Sequence, residues 1–67
     1  MTLTKNQKIL MKALTLLGMN IDDICGMFLL LKSEENIQKM ITWMTNNIEA
    51  SEREVKMVAL QIAENIK

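Results

Sequence analysis

Histidine, tyrosine and proline are missing from this 67-residue sequence; cysteine, tryptophan and phenylalanine occur once each and glycine twice. Each absence closes off a class of protein. With Cys25 alone, no internal disulfide can form, and without histidine no ordinary zinc site can be assembled. General acid–base work is left without its commonest side chain. Cys25 has no base nearby in sequence and sits among Ile24, Met27 and Phe28, so it is expected to pack as a small buried hydrophobe. Two isolated glycines do not make a phosphate-binding loop, and the acidic residues lack the alternating spacing of a calcium loop. The acidic pairs Asp22–Asp23 and Glu34–Glu35 are sequence neighbours, so on a helix their side chains diverge by about 100° and do not converge on one substrate. The expectation is a protein that is not an enzyme, with no catalytic residue, no cofactor and no metal site.

Charge of one sign is missing too. Eight basic residues balance eight acidic ones, which leaves no global field to attract nucleic acid or an anionic membrane. The distribution is less even: Lys5, Lys8 and Lys12 are the only charged side chains before Asp22, and six of the eight acids lie at or after Glu34. The longest apolar run, Ile24 to Leu31, is eight residues including Gly26, far below the ~18 that a spanning helix requires. Lys12 interrupts the apolar stretch behind the N-terminal lysines, and no small-residue cleavage site follows it cleanly. These features point to a cytoplasmic protein with no membrane segment. The bias toward Ile, Lys, Asn and Met, with Arg53 the lone arginine, suggests an AT-rich bacterial genome.

What the sequence does contain is helical periodicity, in four places, with strand-like alternation sustained nowhere. Thr4 with Gln7, and Ser51 with Glu54, have the spacing of reciprocal capping boxes, while Asn20 and Ser33 precede first turns carrying two acids each. Gly18 supplies a left-handed helix end. The predicted fold is all-α: one domain over residues 1–67, a compact bundle of four short helices at about 4–17, 21–31, 34–48 and 52–66, with the second at the centre. A chain this short lies under the ~70–80 residues at which a single core supplies about 3–5 kcal/mol, so its margin is thin.

The expected buried stripes are Ile9, Leu10, Ala13, Leu14, Leu16 and Leu17 in the first helix and Ile21, Ile24, Cys25, Phe28 and Leu31, extended by Met27, in the second. They continue as Ile37, Met40, Ile41, Met44 and Ile48 in the third, and as Val55, Val58, Ala59, Ile62, Ala63 and Ile66 in the fourth. Gly26 lies off the stripe, where it costs about 1 kcal/mol relative to alanine and would allow a close backbone approach.

Two stretches resemble known modules. A short helix, a tight turn at Lys32 and Ser33 and a second helix offering Gln38, Lys39, Thr42 and Asn46 together resemble a helix-turn-helix, which implies DNA binding. Met27 stands where that family has a small residue, Leu31 where it has its turn glycine, and Glu34 and Glu35 would face phosphates. Leu17, Gly18 and Met19, with Asn36, Ile37, Met40, Ile41, Trp43 and Met44, resemble the loop motif and last helix of ubiquitin-associated domains, which implies a protein partner; a fourth helix is left over. The preferred expectation is a non-enzymatic protein-interaction or regulatory module that binds a protein partner or a second copy of itself, with a helix-turn-helix-like DNA-binding regulator as the alternative. Apolar or side-chain-free positions left over after each helix has buried one stripe mark the candidate surface: Gly26, Leu30, Trp43, Met57 and Leu60.

Overall fold

The computed structural model describes residues 3–64 and contains four helices, α1 (Lys5–Leu17), α2 (Ile21–Leu31), α3 (Glu34–Asn46) and α4 (Glu52–Glu64), packed as an all-α bundle. Every helix start is fixed by the cap its sequence specifies. Gln7 N–H donates to Thr4 Oγ1 at 3.1 Å while Thr4 N–H donates to Gln7 Oε1 at 2.9 Å. Asn20 and Ser33 accept from Asp23 and Asn36 backbone N–H groups, and Ser51 and Glu54 exchange the reciprocal pair at α4. These bonds satisfy N–H groups that a helix end leaves without partners.

Tertiary contacts are built on the same ends. The Thr4 hydroxyl donates to the Glu34 carboxylate, 3.1 Å from Oε1, and so ties the start of α1 to the start of α3. Gly18 closes α1 at φ 104°. Its N–H bonds the Thr15 carbonyl while the Met19 N–H reaches back to Leu14, the double closure of a Schellman motif. Met19 and Leu14 are both buried in the same core cluster, the apolar burial that accompanies this motif.

The α2–α3 joint is tighter. Ser33 N–H bonds the Leu31 carbonyl at 2.7 Å across Lys32, which adopts φ 69°, ψ −52°, a γ-turn of the hand that L-residues disfavour. Asn36, the one buried polar residue in the described core, donates its Nδ2 to the same carbonyl at 2.9 Å and holds the joint from inside.

α2 and α3 each pack against all three other helices, whereas α1 and α4 hardly touch. The centre is therefore shared: α1 pairs chiefly with α3 and α2 chiefly with α4, around a core that includes Leu10, Leu14, Ile24, Leu31, Met40 and Val55.

Several expected core positions lie outside it. α3 ends at Asn46, not at 48, because Asn47 Nδ2 caps the Trp43 carbonyl and the chain reverses through a turn closed by Ala50 N–H on Asn47 O. Ile48 rides on that turn and is 85% exposed. In α2 the buried row is Ile24, Met27 and Leu31, because α4 packs on the Met27 side; Ile21 and Cys25 are turned outward and exposed. In α1 the buried residues are Leu10 and Leu14, while Ile9 and Leu16 face out. A Cβ added at Gly26 would meet nothing within 4 Å, so this glycine permits no close approach. Ile66 lies outside the described residues.

Candidate functional site

Of the five candidate positions, three meet. Gly26 and Leu30 from α2 and Leu60 from α4 line an open cleft of about 290 Å³ between the two helices, with the buried side chains of Met19, Met27 and Ala59 among its lining. Met57 lies one turn before Leu60 and shares a neighbouring depression with it and with Arg53. Both side chains are about half exposed, Met57 at 53% and Leu60 at 48%. Trp43 stands apart: it lines neither depression and packs, half-buried, against the core from α3.

The cleft carries both signs of charge. Lys56 of α4 bridges to Asp23 of α2 at 3.4 Å and to Glu52, one turn back on its own helix, at 3.1 Å. Hydrogen bonds to Glu52 and then to Asp23 raise its pKa above the ordinary lysine value of 10.5. All three groups are well exposed, so this pairing orients side chains more than it stabilises the fold.

Sequence reasoning missed a second feature. Ile9, Ala13 and Leu16 of α1, Ile41 and Met44 of α3 and Ile48 of the following turn line a groove of about 380 Å³ whose described lining contains no charged side chain. Leu16 is 79% exposed. The usable signal was present in the α1 pattern: six apolar positions are more than one helix face can bury against a single neighbour.

Among the described residues no three of His, Cys, Asp and Glu come together as metal ligands, and no helix is long and apolar enough to cross a membrane. The loop residue Met19, which the ubiquitin-associated resemblance assigns to partner contact, is spent on the core. Compared with protein-family models, with curated proteins and with solved structures, the chain matches none.

Proposed function

We propose that the chain is a small non-enzymatic interaction module that associates with a second copy of itself through the outer face of α4, beside the α2/α4 cleft. One observation carries the reading. Arg53, Met57, Leu60 and Glu64 follow the spacing i, i+4, i+7, i+11 and are all exposed, so they form a single surface row along the helix. The row is self-complementary. Laid antiparallel on its copy about a two-fold axis, it sets Arg53 against Glu64 of the other chain and Met57 against Leu60, twice over, as an isologous interface requires. Methionine suits such a contact because its unbranched side chain adapts to irregular partners. The sequence has no histidine or tyrosine, and Cys25 is exposed on α2, outside the lining of the α2/α4 cleft.

Sedimentation equilibrium tests the reading. Wild type should show a concentration-dependent dimer, Leu60→Glu should be monomeric, and the charge pair Arg53→Glu with Glu64→Arg should dimerise as wild type does while either single change weakens association. A strictly monomeric wild type at high concentration removes it.

The helix-turn-helix alternative draws on a different surface, the exposed α3 residues Gln38, Lys39, Thr42 and Asn46. Zero net charge and the acids Glu34 and Glu35 at the α3 N-terminus weigh against it. Salt-dependent retardation of duplex DNA at low ionic strength would favour it over the interaction module.

A further inference from the structure

The α1/α3 groove opens over the core residue Val55 and shares no lining residue with the α4 row. Ala13, one of two alanines in its lining, sits between Ile9 and Leu16 on α1, and Ile48 contributes from the turn after α3. The two edges differ in charge. On α1, Lys5, Ile9, Lys12 and Leu16 follow the spacing i, i+4, i+7, i+11 and are all exposed, so lysine and apolar side chains alternate along one edge. On α3 the exposed residues Gln38, Thr42 and Thr45 are uncharged, and the one acid on that edge, Glu34, accepts from the Thr4 hydroxyl at the far end of α1. Among the described residues none of Lys5, Lys8 and Lys12 takes part in an ion pair, whereas Lys56 on the other side of the molecule has two. The groove thus combines an apolar interior with an edge whose lysines form no ion pair among the described residues.

We infer that this groove docks an amphipathic α-helix of a partner protein, with an apolar stripe that fills the concavity and acidic residues along the edge facing α1. Charge complementarity selects the occupant: Lys5 and Lys12 gain partners only if the incoming helix is acidic on that side. The concave shape selects a helix over a lipid surface, which is flat on this scale and leaves Ala13 uncovered. From Ile9 to Leu16 the α1 edge runs about 10 Å, two helical turns, so a ligand with apolar residues at i, i+3 or i+4, and i+7 matches its length. The inference is independent of the α4 dimer, because it uses the opposite helix pair.

The test uses two fluorescein-labelled helical peptides of about four turns, identical in their leucine stripe, one with glutamates and the other with lysines along one edge. Fluorescence anisotropy with the wild-type chain should give micromolar affinity for the glutamate peptide, at least ~10-fold weaker binding of the lysine peptide, and a loss of affinity with added salt. Leu16→Glu should weaken the glutamate peptide at least ~10-fold, and Lys12→Glu should narrow the preference between the two peptides. Both positions are exposed, so circular dichroism should stay unchanged. Ile9, Leu16 and Ile48 methyl resonances should move on titration while Leu60 stays still. Equal affinity for both peptides, absence of binding, or shifts confined to the α2/α4 side would overturn the inference. So would dissociation of a dimer by Leu16→Glu, which would make a second copy the occupant, or vesicle flotation on anionic lipid that Leu16→Glu abolishes while the peptide fails to bind.

Discussion

The bundle contains two helix pairs, and each has an alanine on its inner side with opposite results. On the α2/α4 side Ala59 is fully buried in one cluster with Met19 and Met27, and Lys56 ties the helices together through Asp23. On the α1/α3 side Ala13 stays partly exposed in an open groove, with Ile41 and Met44 only partly buried opposite. A small residue lets helices close only where long side chains stand ready to cover it; elsewhere it leaves a hole. One pair therefore ends in a mixed-charge cleft beside a self-complementary row, and the other in an uncharged groove with a basic edge.

The sharpest way to break the comparison is to mutate two leucines two positions apart on α1. Leu14 is fully buried and Leu16 is 79% exposed. Leu14→Ala should cost about 2–5 kcal/mol in urea unfolding, enough to threaten a domain this small, whereas Leu16→Ala should stay within about 0.5 kcal/mol. Equal effects would mean that the groove is closed in solution.

Next in size is the joint between the two sides. Asn36→Ala removes the buried donor to the Leu31 carbonyl and should lower stability by about 1–2 kcal/mol, with Asn36→Asp at least as costly because a carboxylate offers no donor there.

The glycines give a smaller contrast of opposite sign. Gly26→Ala should raise stability by about 0.5–1 kcal/mol, since Gly26 is exposed inside α2 and its added methyl meets nothing. Gly18→Ala should lower it by about 1 kcal/mol, because φ 104° strains any residue with a Cβ. Thermal melts of the two variants should move apart.

The smallest effect concerns the Lys56 link across the α2/α4 side. Because the folded pKa lies above the ordinary 10.5, the contribution is fully present below that value and disappears as the pH rises through the folded pKa. Wild type should thus lose slightly more stability than Lys56→Met does as the pH rises above 10.5, and high salt should shrink the difference.

Local features were legible in the residues and distant ones were not. Thr4–Gln7, Asn20, Ser33 and Ser51–Glu54 act over three positions, and every one of those bonds forms as its spacing specifies. Gly18 closes α1 for the same reason. By contrast, Cys25 and Ile21 could not be placed from α2 alone: the apolar residues nearly encircle that helix, so the buried side is chosen by whichever neighbour packs against it. The joint role of Asn36 was equally hidden, since a polar residue in a first helical turn ordinarily faces solvent. Among the candidate surface residues, Gly26, Leu30 and Leu60 meet only because α2 lies along α4, and Trp43 is separated from them by its position on α3.

The helices, their caps and their all-α character follow from local residue order, because capping and periodicity are set by residues within a turn or two of one another. Which stripe each helix buries depends on the neighbours that pack against it. A chain of 67 residues has too little interior for all of its apolar side chains. Ile9, Leu16 and Ile48 are left on one side and Met57 and Leu60 on the other because four short helices cannot cover every face of one another, and the faces left uncovered are the ones available to a partner.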